Sequence, residues 1–157
     1  LIRGNSCNAT GEKVKLYRDT MSEAGFSDEK VEEALDQMWV WREMHIAETD
    51  EEAFEDFLPA HYDAYSLLED VRAEWNPPGM EISIQRAPLK REDYGEAPNP
   101  DKPENLVGRY KRVAEQVAML RDVGVRNLML TNRGLVSQEK ANRSLRLLSE
   151  KIMPAFR

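Results

Sequence analysis

The sequence predicts a single α/β domain that is rich in helices and has few, parallel strands. Helical and strand-like segments alternate along its 157 residues, an order that favours a parallel sheet. One segment, residues 38–47, is rich in aromatic and β-branched residues and contains neither Gly nor Pro, as expected of a largely buried strand. Only two or three convincing strands are present, so such a sheet would have uncovered edges unless a partner or more chain supplies further strands.

The composition excludes several classes of protein. With a net charge of −7 and 41% hydrophobic residues, the chain has no run near the roughly 18 apolar residues of a membrane span. Its first residues also lack the layout of a signal peptide. Cys7 is the only cysteine, which rules out an internal disulfide and fits a reducing, cytoplasmic location. The basic residues of the last third lie along amphipathic helices without interleaved aromatics, so we expect no nucleic-acid partner and no membrane partner.

The first half of the chain predicts three helices around the buried strand. Apolar residues at spacings of three and four predict helices over residues 11–24 and 27–37. After the strand, Thr49–Glu52 form a capping box that begins a long helix reaching Trp75. Pro59 should kink this helix or divide it in two.

The second half combines irregular chain with another helix–strand–helix unit. Residues 80–85 alternate apolar and polar, which predicts a short strand or extended segment. Residues 86–106 carry four prolines and no periodicity, so we expect an irregular insertion, a surface connection more readily than a lid. A helix then ends at Gly124, residues 125–131 predict a short buried strand, and Ser137 caps a last helix.

The central strand carries charged residues that an apolar core normally excludes. Arg42 and Glu43 point to opposite faces of a regular strand, and the inward one would be a buried charge that requires a partner or lines a pocket. His45 has the residue type of a general base, although a packed, hydrogen-bonded role is the more common one in mid-strand. His61 lies on the apolar stripe of the long helix, where a core or interface role is expected. Two distant histidines without a companion cysteine predict no metal site.

Three segments in order carry a family resemblance. Arg42–Ala53 form an arginine-led strand that runs into an Ala-Glu-Thr-x-x-Glu-Ala helix start. Gly108–Leu130 contain a glycine, a Val-Ala-Glu helix, a Val-Gly turn and a strand, and Glu150–Pro154 end in Met-Pro. Together these segments resemble the C-terminal portion of luciferase-like flavin-dependent monooxygenases. Arg109-Tyr110 stand where that family has a Ser-Pro pair.

The resemblance implies a fold and a chemistry. It implies that residues 1–157 are a fragment, the C-terminal part of a TIM (β/α)8 barrel, a fold that needs about 250 residues. Residues 38–47 and 125–131 would be the last two barrel strands. The implied co-reactants are reduced FMN and O2, acting on a small organic substrate, and deazaflavin-dependent hydride transfer on the same fold is a close variant. The catalytic residues would lie in the N-terminal half of the barrel, so they stay unknown. We also expect a homo-oligomer.

Two loops of this barrel part are candidates for cofactor binding, because ligands gather at the carboxyl ends of parallel barrel strands. Asn5, Ser6 and Thr10 surround a helix N-terminus that suits a phosphate. Arg133 follows the last strand and offers a bidentate donor. The alternative interpretation is an ordinary capped turn and a salt-bridging surface arginine.

Two functions of other classes stay open. One is a non-catalytic α/β half-barrel that works only by associating with a partner or a second copy. The other is a helical regulator with an acidic partner-binding face, which would require residues 39–46 to be helical.

Overall fold

The structure is a computed structural model that describes residues 6–77, 89–102, 105–132 and 136–156, together with the backbone of residues 2 and 3. The regular elements are, in chain order, β1 (Ile2–Arg3), α1 (Cys7–Glu23), α2 (Asp28–Asp36), β2 (Trp39–Ala47), α3 (Asp50–Trp75), β3 (Leu106–Arg109), α4 (Tyr110–Asp122), β4 (Asn127–Thr131) and α5 (Gln138–Leu147). A π-helical turn (Leu148–Ile152) and a 3₁₀ turn (Met153–Phe156) follow α5. The extended segment predicted over residues 80–85 lies outside the described residues.

β2 is the central strand of a small parallel sheet. It pairs in parallel with β1, with β3 and with β4. The pairing with β4 runs from Trp39 to Glu43, and the pairing with β3 runs from Met44 to Ala47. The predicted α/β class with parallel strands is therefore confirmed, and a helical conformation of residues 39–46 is wrong.

Helices cover both faces of β2, which explains why apolar residues occur on both of its faces. Val40, Met44 and Ile46 belong to one core, which they share with residues of α4 and α5. Ala47 belongs to a second core, formed with Phe54 and other apolar residues of α3 and β3. Since successive residues of a strand point to opposite faces, the first core lies under α4 and α5 and the second under α3.

α3 is one continuous helix of 26 residues that contains Pro59. Of the two expected effects of Pro59, a kink or a division of the helix, the division is therefore wrong. A proline costs one backbone hydrogen bond and a steric contact, but Phe57 and His61 on either side of it are buried. Tertiary packing of the helix face offsets the local cost.

Strand β3 was not predicted, because its four residues fall at the junction of the irregular segment and α4. A Cβ at Gly108 would lie 2.6 Å from the Asp50 carboxylate, so only glycine allows this close approach. Arg109 N–H donates to Asp50 Oδ1 at 2.7 Å and thereby ties β3 to the start of α3.

The described part of the irregular segment, residues 89–102, packs onto the domain. Tyr94 is buried, and the buried Arg112 of α4 donates to the backbone carbonyls of Tyr94, Gly95 and Glu96. These hydrogen bonds fix the position of the segment against α4.

Strand β4 is less buried than the sequence predicts. Leu128 and Leu130 are half-buried against the core, whereas Met129 is 43% exposed. Among the described residues β4 pairs only with β2, so one edge and part of one face have no neighbour there. No helix in the described ranges is long and apolar enough to cross a membrane.

Candidate functional site

The carboxyl half of β2 buries polar side chains on the face that α3 covers. Glu43 and His45 are alternate residues of β2 and therefore share a face, and each is 1% exposed. Three residues of α3 lie against them: Asp56, His61 and Tyr65. We call these five residues the β2–α3 cluster.

The first half of this cluster pairs a buried carboxylate with an imidazole. Glu43 Oε2 lies 3.2 Å from His61 Nε2. The Tyr65 hydroxyl donates to Glu43 Oε1 at 3.4 Å, and Asn105 Nδ2 lies 3.5 Å from Glu43 Oε2. The His61 and Tyr65 rings contact each other with their centroids 4.4 Å apart and their planes tilted by 37°.

The second half is an imidazole held by a carboxylate and a lysine. His45 Nε2 lies 3.2 Å from Asp56 Oδ2, and the other oxygen of Asp56 binds the Lys140 ammonium of α5. Burial lowers the pKa of His45, and the Asp56 carboxylate offsets only part of this effect. His45 is therefore neutral near pH 7.

The tautomer of His45 follows from its partner. A carboxylate only accepts hydrogen bonds, so Nε2 carries the proton and Nδ1 carries the lone pair. Nδ1 is buried and has no hydrogen-bond partner among the described residues. An imidazole oriented by a carboxylate, with an unused acceptor nitrogen, is an arrangement that can accept a proton from a bound molecule.

Arg42 is buried on the opposite face of β2, as the alternation of the strand predicts. It is 4% exposed, and it donates to the Trp41 carbonyl oxygen at 2.9 Å and to Thr10 Oγ1 at 3.0 Å. Arg42 and Glu43, which are consecutive in the sequence, are thus both buried, one on each face of β2.

The candidate cofactor residues that the structure describes have their hydroxyls engaged within α1. Ser6 Oγ accepts from Ala9 N–H at 3.1 Å and caps the helix. Thr10 is fully buried, donates to the Ser6 carbonyl oxygen at 2.8 Å, and accepts from Arg42. These two side chains therefore do not fit a phosphate-binding role, and Thr10 lies on the other face of β2 from the cluster. Asn5 and Arg133 lie outside the described residues.

Sequence reasoning found Glu43, His45 and His61 as single residues but did not find their pairing. The signals were a charge inside an apolar strand and a histidine on an apolar helical stripe. Which residues meet depends on the angle at which α3 crosses β2, which no local pattern encodes. Asp56 carried no signal, because it lies beside the apolar stripe and resembles a solvent-exposed acid.

Comparison with protein-family models, with curated proteins and with solved structures found no match to this chain. Within the described ranges, no three His, Cys, Asp or Glu side chains are grouped so that they would hold a metal ion.

Proposed function

We propose that this chain is the C-terminal portion of a flavin-dependent, luciferase-like oxidoreductase acting on a small organic molecule. The observation that carries the proposal is the β2–α3 cluster, a buried set of acid–imidazole pairs in the carboxyl half of the central parallel strand. Ligand sites of parallel α/β proteins lie at the carboxyl ends of their strands. The resemblance of Arg42–Ala53 and Gly108–Leu130 to that family supports the choice of a flavin.

In such an enzyme the flavin carries the redox chemistry, and the protein binds, orients and handles protons. His45 would accept a proton at Nδ1 while Asp56 holds the ring in position. Glu43, His61 and Tyr65 would supply further polar groups beside it. The phosphate of the flavin would be held by groups other than the Ser6 and Thr10 hydroxyls, which are already engaged.

Flavin titration tests the proposal. FMN and a deazaflavin, each oxidised and reduced, are added anaerobically to the purified chain, and binding is followed by flavin fluorescence and absorbance. We expect one of the two flavins to bind. His45→Gln should weaken binding, because glutamine keeps a donor for Asp56 but does not place an acceptor where Nδ1 lies. Tyr62→Phe, on the exposed side of the same helix, is the matched control and should bind like the wild type.

Absence of binding for both flavins would refute flavin binding by these residues. Equal binding by the wild type and His45→Gln would instead place the flavin away from the β2–α3 cluster.

A second candidate function, an association module, is favoured by an exposed apolar patch. Trp39 is 45% exposed and Met129 43% exposed, and Trp41 pairs directly with Met129 in the sheet. Trp39 and Trp41 lie at the amino-terminal end of β2, on the same face that α3 covers at the carboxyl end. Met129 lies beside them on β4. Exposed patches of large apolar side chains mark protein–protein interfaces.

Light scattering after size-exclusion chromatography tests this candidate. An association module should run as a dimer or larger, and Trp39→Lys should shift it to the monomer. Trp75→Lys, at another exposed tryptophan, is the control and should leave the mass unchanged. A monomeric wild type would rule out self-association through this patch.

A further inference from the structure

A polar cavity lies on the other face of the sheet from the β2–α3 cluster, between the start of α1, β2 and α4. The polar groups that line it are Cys7, Arg42, Asn99, Lys102 and Gln116. Arg42 and Glu43 point to opposite faces of β2, so this cavity is separate from the β2–α3 cluster. An inference about it is therefore independent of the proposed function.

The cavity brings together two cations of different kinds. The Arg42 guanidinium is almost fully buried, and its hydrogen bonds include those to the Trp41 carbonyl and the Thr10 hydroxyl. Burial lowers the pKa of Arg42, which means that the surroundings penalise its positive charge. Lys102 is exposed and also lines the cavity, and its ammonium donates to the Asp93 carbonyl oxygen at 3.5 Å. An anion between them would lower the cost of burying the guanidinium.

The segment that closes the cavity is anchored to α1. Asn8 N–H donates to the Pro100 carbonyl oxygen at 2.9 Å, and Asn8 Nδ2 donates to Asp101 Oδ1 at 2.6 Å. Asp101 N–H in turn donates to Asn99 Oδ1 at 2.9 Å. These contacts hold the segment that carries Lys102 next to the helix start, so the second cation is kept close to the cavity.

We propose that this cavity binds a small oxyanion, such as phosphate or the carboxylate of a metabolite, between the Arg42 guanidinium and the Lys102 ammonium. The planar fork of a guanidinium matches the oxygens of phosphate and carboxylate groups. Lysine contributes a point charge that follows the ligand without fixed geometry.

Cys7 makes the proposal measurable, because it lines the same cavity and is the only cysteine of the chain. Burial raises the pKa of the Cys7 thiol, whereas the nearby charge of Arg42 acts in the opposite direction. A bound oxyanion would cover the thiol and cancel the influence of Arg42. Both effects slow the reaction of the thiol with an alkylating reagent, because the thiolate is the reactive form.

The experiment measures alkylation of Cys7 by iodoacetamide, an uncharged reagent, with increasing inorganic phosphate and with acetate in a parallel series. Sodium chloride keeps the ionic strength constant. If the bound form does not react, the rate falls by the factor 1 + [L]/Kd, about tenfold at a ligand concentration of about ten times Kd. Slowing by phosphate alone indicates a phosphate site, and slowing by both anions indicates recognition of any small oxyanion.

Variants test whether the anion that protects Cys7 binds in this cavity. Lys102→Ala, at an exposed position that should not disturb folding, should weaken the protection of Cys7. Lys151→Ala, at an exposed lysine outside the cavity, is the control and should retain it. Arg42→Lys should also weaken protection, with circular dichroism confirming that it folds.

If neither phosphate nor acetate slows the alkylation of Cys7 in the wild type, the proposal is overturned. Equal protection of the wild type and Lys102→Ala would also overturn it, because the anion would then bind elsewhere.

Discussion

Replacing His45 by glutamine should flatten the dependence of stability on pH between about pH 7.5 and about pH 5.5. Burial lowers the pKa of His45 in the folded protein, while the unfolded chain has an ordinary histidine pKa of about 6.5. Below that value the unfolded state binds a proton that the folded state does not bind. The free energy of unfolding therefore falls as pH decreases from the unfolded pKa towards the folded pKa, and the contribution of His45 is fully present above the unfolded pKa.

The size of this effect follows from the burial of the ring. His45 is 1% exposed, so solvent does not screen its surroundings. While the folded form stays neutral, the loss is at most about 1.4 kcal/mol for each pH unit below the unfolded pKa. Between about pH 7.5 and about pH 5.5 this amounts to at most about 1.4 kcal/mol, since only the last unit lies below about 6.5.

The assay is urea unfolding of the wild type and of His45→Gln at several pH values across this range, followed by circular dichroism. Glutamine keeps a donor for Asp56, so the comparison isolates the titration of the imidazole. His61→Gln reports on the only other histidine of the chain and serves as a parallel variant. If the wild type and His45→Gln lose stability equally on acidification, His45 is not held neutral, and the tautomer assignment that depends on its neutrality is refuted.

Three further predictions concern contacts that hold the sheet, each checked by urea unfolding. Thr10→Val should cost about 1–3 kcal/mol because it removes an acceptor from the buried Arg42, while Thr10→Ser should cost less. Gly108→Ala should cost about 2–4 kcal/mol, because φ is +141° there and the added Cβ meets the side chains of α3 and α4; a change below about 0.5 kcal/mol would contradict the close approach. Ser144→Ala should cost about 1–3 kcal/mol, since the Ser144 hydroxyl accepts from the Ile46 N–H at 2.8 Å in the core, and Ser144→Thr would test whether the hydroxyl alone suffices.

The sequence predicted the elements that local patterns encode. Capping residues located the starts of α3 and α5, where the Thr49 and Ser137 hydroxyls accept hydrogen bonds from the backbone N–H of the third residue of each helix. The aromatic and β-branched residues of β2 were also sufficient to predict a strand, because a strand covered on both faces carries apolar residues on both.

Features that depend on tertiary contacts were missed for physical reasons. β3 is defined by its pairing with β2 and is tied to α3 by the hydrogen bond from Arg109 N–H to Asp50, which are contacts between residues far apart in the chain. The continuity of α3 through Pro59 depends on tertiary packing, which helix propensity does not take into account. The exposure of Met129 depends on which elements pack beside β4, and the sequence of the strand itself does not encode this.

The consecutive buried charges of β2 connect the two proposals. Arg42 and Glu43 each replace an apolar side chain that would fill a core position without the cost of desolvating a charge. Their polar partners reduce this cost, but replacing a buried charge and its partners by hydrophobic residues of similar volume is often neutral or stabilising. The two proposals supply a reason for keeping these charges: Glu43 would serve the β2–α3 cluster, and Arg42 would present a cation to the cavity on the other face. Under the two proposals, β2 is both the central strand of the sheet and the element that supplies one charged group to each of two separate sites.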